Sequence, residues 1–187
     1  MNWFDLIVLQ DATEAMAAGA SAEQAKIIRA WSTRYYTIVR DTPDIAEARK
    51  KLKELKAKRT PAEVEAYDFL GNVGTLNIDI VLENWCRQCL SLDPGEYLAK
   101  TKCPVLALFG EKDCQVPAGP NLEAAEEAFK KSGNKEAKAM ILPGVNHLFQ
   151  RCASGGTNEY SQIEETMSPE VLKLVGDWIE AHTKVKE

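Results

Sequence analysis

Two short runs, VLALF at Val105–Phe109 and the largely apolar AKAMIL at Ala137–Leu142, constrain this chain more than anything else in it. Each has strand length and each ends at a turn signal, Gly110 after the first and Pro143-Gly144 after the second. Between them, Pro120 to Lys131 carries apolar residues at helical spacing and closes at Gly133. Strand, helix and strand in that order form one right-handed crossover joining a parallel pair. After the second run, Ser168-Pro169-Glu170 starts a last helix reaching about Thr183. The expected fold class is therefore α/β, with a small β-α-β-α segment over residues 100–187. VLALF is apolar throughout, as in a central strand covered on both faces. Two strands make a very small parallel sheet, so the outer edge of this strand needs a cover or a partner.

Residues 1–99 read differently, as helix nearly throughout. Phe4 to Met16 places its apolar residues at helical spacing, and Gly19 can end that helix. Ser21 with Gln24 is a capping-box signature for a second helix, reaching about Arg40 before Pro43. A third lies between about Pro43 and Lys58. Thr60-Pro61 with Glu63 supplies a cap, a first-turn proline and an acid for a fourth, expected to end near Gly71–Gly74. Further helix follows up to Asp93-Pro94. Trp31, Tyr35 and Tyr36 share one helix and are expected to pack inside this region. Trp178 on the last helix is expected in a core, and His182 near the terminus in solvent.

Composition excludes some classes. Of the 187 residues 45% are apolar, enough for a core, and the net charge of −5 disfavours nucleic acid or an anionic membrane as partner. The basic run Glu47–Arg59 interleaves acids with its bases, as a solvated helix face does. No apolar run approaches the roughly 18 residues of a membrane helix. The first residues lack the basic region of a signal peptide. Five cysteines without framework spacing fit reduced thiols, and the chain as given reads as cytoplasmic. Two histidines rule out a histidine-rich metal site; no metal and no cofactor is expected.

Loops at the carboxyl ends of parallel strands carry the chemistry of open α/β sheets. Asp113 and His147 fall in two such adjacent loops, in the order acid then histidine. That is the order of the last two members of the Ser…Asp…His set of α/β-hydrolases. In such a set the histidine takes a proton from a hydroxyl nucleophile, while the acid fixes its tautomer and stabilises the imidazolium. A second motif competes. NWCRQC at Asn84–Cys89 holds W-C-x-x-C, the core of thioredoxin-like redox sites, after an IDIVLEN stretch that passes for a strand. Its Arg87-Gln88 interior is unusual, no β-α-β segment precedes it, and no second cysteine pair has the spacing for zinc.

The segment CPVLALFGEKDCQVP, followed by LPGVNHLFQ and EYSQIEETMSPEVLKLVGDWI, resembles the C-terminal end of bacterial serine esterases of the α/β-hydrolase superfamily. The resemblance is dense over about Lys100 to Ile179. It implies that Asp113, in GEKDCQVP, is the triad acid and that His147, in NHLFQ, is the triad histidine. It also implies that residues 1–99 are a helical cap and 100–187 the last part of a hydrolase core, together a truncated α/β-hydrolase fold. The implied activity is hydrolysis of a small-molecule ester through an acyl-enzyme.

The nucleophile of that family stands in a G-x-S-x-G turn, and no two glycines of this sequence are four apart. The glycine-rich oxyanion loop is missing too. Ser154, Cys114 and Cys152 are the nearest hydroxyl and thiols in sequence, and none has the context of a strand-to-helix nucleophile turn. The chain alone is therefore expected to be inactive or weakly active. The alternative is a non-catalytic module that self-associates through the 105–109 strand, and a homo-oligomer is expected on either reading.

Overall fold

The computed structural model describes residues 1–70 and 77–183 of the chain. It is mixed α/β and mostly helical, with one two-stranded parallel sheet. Two compact units divide at Pro94–Gly95: residues 2–94, and residues 95–187 together with Met1.

The first unit is built from α1 (Trp3–Ala17), α2 (Ala22–Asp41), α3 (Ile45–Ala57), α4 (Pro61–Asp68) and two short helices, α5 (Ile78–Val81) and α6 (Asn84–Cys89). Local chemistry sets the boundaries. Asn2 caps α1 by accepting from the Asp5 amide at 2.8 Å, and Gly19, at φ 105°, turns the chain out of it. The capping box expected at Ser21 and Gln24 forms at both ends, at 3.2 and 2.9 Å. Thr60 and Glu63 form the second, with Pro61 in the first turn of α4. The stretch expected to close this helix, Gly71–Gly74, lies outside the described residues. IDIVLEN is helix and turn rather than strand: Asn77 caps α5, which ends within one turn.

The core of this unit is aromatic. Trp31, Tyr35 and Ile28 on α2 are fully buried, along with Val39 and, on α3, Ala48 and Leu52. Trp31 stacks on Tyr35 with centroids 5.0 Å apart and meets Tyr67 of α4 edge-on at 4.7 Å. Such pairs add roughly 0.5–1.5 kcal/mol beyond the area they bury. A polar thread runs through the same core. The Ser32 hydroxyl donates to Asp11 at 2.6 Å and is hydrogen-bonded to the Tyr67 hydroxyl.

The short α7 (Pro94–Leu98) starts on the last residue of the first unit, and the second unit holds β1 (Val105–Gly110), α8 (Ala118–Ser132), β2 (Ala137–Leu142), a 3₁₀ turn at Thr157–Gln162 and α9 (Pro169–Thr183). The strands run parallel in the register Val105↔Ala137 to Gly110↔Leu142, with α8 as the crossover. Val105 to Phe109 are half-buried, not fully covered as their composition suggested, because a strand with one neighbour leaves much of its surface open. Trp178 is likewise half-buried: it stacks on the exposed His182 with centroids 4.2 Å apart instead of entering a core. Among the described residues no helix is long and apolar enough to cross a membrane.

Candidate active site

The two strand-end loops are locked together by contacts that do not involve the side chains of Asp113 and His147. Gly110 closes β1 with the carbonyls of Val145 and Asn146 pressed against it. A Cβ there would sit 2.6 and 2.5 Å from those oxygens, so the approach requires glycine. The Lys112 amide donates to the Val145 carbonyl at 3.0 Å, and Glu111 accepts from the Gly144 amide at 2.8 Å. Gly155, at φ 83°, lies so close to Lys112 that a Cβ would strike its carbonyl oxygen. The Lys112 ammonium in turn donates to the carbonyls of Cys152 and Ala153 at 3.0 and 2.9 Å. Acid loop and histidine loop thus form one framework.

Within it Asp113 is held by its own turn. Its Oδ1 accepts from the amides of Gln115 and Val116 at 2.9 and 2.8 Å, which fixes the carboxylate plane. Its Oδ2 faces His147 Nδ1 at 2.9 Å. The carboxylate side chain is 6% exposed and the imidazole 38%, so the acid is shielded while the histidine reaches the surface. This is the division a general base needs. A carboxylate in this position can hold a proton on Nδ1, which would leave Nε2 as the accepting nitrogen.

The histidine loop owes its shape to Asn146, which is fully buried beside it. Its Oδ1 accepts from the amides of Leu148 and Gln150 at 2.9 and 3.0 Å, and its amide group donates to Gln150 Oε1 at 3.0 Å. Phe149 stands in the left-handed region at φ 57°, and the Ser168 amide at the head of α9 donates to its carbonyl at 2.8 Å. Gln150 continues the chain of contacts to the Glu165 carbonyl at 2.9 Å. Sequence reading singled out Asp113 and His147 and passed over these supports. The signals for Gly110 and Asn146 were present: a glycine at the strand end before the acid loop, and an amide directly before the histidine.

The remaining candidates are placed otherwise. Ser154 accepts from the Gly156 amide at 3.1 Å and is hydrogen-bonded to Glu159, which also receives the Ser154 and Ala153 amides. That cluster holds a turn. Cys114 is buried, its thiol 3.2 Å from the Gly155 carbonyl. Burial pushes the Cys152 thiol up, with Glu159 adding to the effect and Lys112 opposing it. Cys86 and Cys89 lie on the six-residue α6, which follows the short helix α5, and burial, Glu83 and Cys89 push the Cys86 thiol up. A redox cysteine needs the opposite shift. Among the described residues no group of three or more His, Cys, Asp or Glu is placed to hold a metal.

No protein-family model, no curated protein and no solved structure matches this chain.

Proposed function

We propose that Asp113 and His147 are the acid and the base of a serine-hydrolase triad, and that the chain is the acid–base part of an ester hydrolase of the α/β-hydrolase type. The observation that carries this reading is the 2.9 Å contact between a shielded, backbone-held carboxylate and a half-exposed imidazole, both on loops at the carboxyl ends of parallel strands. On this reading the nucleophilic serine is supplied from outside the 187 residues. His147 accepts its proton during attack on the ester and returns it to the leaving alcohol. Asp113 holds the imidazole in register and stabilises the cation that forms.

Histidine ¹⁵N NMR tests the pair directly. Neutral His147 is expected to carry its proton on Nδ1, and Asp113→Asn is expected to release that preference. A predominant Nε2–H tautomer in the wild-type chain would overturn the assignment. Short-chain p-nitrophenyl ester hydrolysis, with a fluorophosphonate probe and intact mass alongside, tests the division of labour. Losing the serine of such a triad costs about 10⁶ in turnover, so the chain alone is expected to show no stoichiometric adduct. An adduct abolished by His147→Ala would place the nucleophile inside these residues.

A second reading, a self-associating module, is favoured by a separate observation. β1 has one strand neighbour among the described residues, and α9 buries only Val171 while Leu172 and Ile179 stay exposed.

A further inference from the structure

Within the helical unit, away from Asp113 and His147 in sequence, residues of α1, α2, α5 and α6 line an apolar, partly open cavity of about 130 Å³. Its walls include Trp3, Tyr36, Ile80, Trp85, Cys86 and Leu90. Two indoles at one opening are expensive to leave in water, yet Trp3 is 37% and Trp85 57% exposed. Trp85 has its polar end satisfied separately: its indole N–H donates to Glu83 at 2.8 Å, leaving the ring as wall. Tyr36 of α2 also lines the space. Cys86 contributes a thiol, and among the described residues no charged side chain lines the space.

From this geometry we infer a binding site for a small, uncharged, apolar group of one-ring size, a phenyl or a short branched alkyl. Size and chemistry both carry the assignment. An apolar cavity of about 150 Å³ stays dry and binds benzene, and this one is only slightly smaller. A charged ligand head would lose its hydration here and gain no partner. A water inside would find few of the two to four polar contacts it needs. The site does not depend on the triad reading, because every wall belongs to residues 2–94.

Cys86 makes the test direct. Iodoacetamide alkylation of the full chain is followed by peptide mass, with toluene as the probe. Trypsin cuts at Arg87, so Cys86 and Cys89 appear on separate peptides, and exposed Cys103 is the internal reference. Saturating toluene is expected to slow alkylation of Cys86 at least threefold while leaving Cys103 unchanged. Ile80→Phe, which fills the cavity from its exposed rim, is expected to abolish the protection. An unchanged Cys86 rate, equal slowing at Cys103, or protection that survives Ile80→Phe would overturn the site. Protection that rises with protein concentration alone would overturn it as well, by making the cavity the seat of a second copy.

Discussion

Asp11 is the most demanding single residue in the chain. It is 1% exposed and sits among hydroxyl groups: Ser32 and Tyr36 on α2, with Tyr67 of α4 joined through Ser32. Burial pushes its carboxyl up from 3.8 to about 7; nearby Glu14 adds to the rise, and the hydrogen bonds from Ser32 and Tyr36 oppose it. Burial and then the Asp11 charge push Tyr35 and Tyr67 up as well, so both phenols stay protonated and able to donate. The consequence for stability has a definite sign. Between about pH 4 and about 7 the folded chain keeps a proton that the unfolded chain releases, so stability is lost as pH rises through that window and levels off above it. The contribution is on the order of 4 kcal/mol. Asp11→Asn keeps the shape and removes the titration. Thermal melts from pH 4.5 to 8 are expected to show the wild type losing at least about 5 °C relative to Asp11→Asn as pH rises. Parallel curves for the two proteins would mean that Asp11 does not titrate in this range.

At the scale of elements, glycine separates positions that join loops from positions that merely interrupt helices. Gly110→Ala drives a methyl into two backbone carbonyls, which cannot swing aside as a side chain can. A cost of about 1–3 kcal/mol is expected, together with loss of the His147 tautomer preference, since the same contact holds the two loops together. Gly176, inside α9, meets nothing within 4 Å, and Gly176→Ala is expected to stabilise by about 0.5–1 kcal/mol. Chemical denaturation of both variants checks the contrast. The same scale explains what was legible in the sequence. Caps at Ser21 and Thr60, the parallel pair and its crossover helix, and the Asp113–His147 pairing were readable because each rests on local residue chemistry or on loop order. The helical stretch expected up to Asp93-Pro94 was readable as well, and it forms as the short α5 and α6. Trp178 was misplaced. Helical spacing says which face is apolar, and nothing in it says whether that face is covered. The support at Gly155 depends on a long-range approach to Lys112 that no local pattern encodes.

Over the whole molecule, the open question of surface is concentrated on β1. The Val105 amide donates to the Glu136 carbonyl at 3.1 Å and the Glu111 amide to the Leu142 carbonyl at 2.9 Å, so the odd-numbered residues of the strand face β2. In a parallel ladder the alternate residues then turn their amides and carbonyls the other way. Leu106 and Leu108 therefore offer hydrogen-bonding groups on the side away from β2, where no third strand pairs with them among the described residues. A second copy pairing along that edge about a two-fold axis would run antiparallel to the first and build a four-stranded sheet. Size-exclusion chromatography with light scattering is expected to report a dimer. Leu106→Pro removes one outward N–H and spares the ladder to β2, so it is expected to shift the chain toward monomer with its circular dichroism retained. Ala107→Pro removes an inward N–H instead, and is expected to cost folding before it costs association. A wild-type monomer at high concentration would rule out the edge as a self-association site, as would a dimer indifferent to Leu106→Pro.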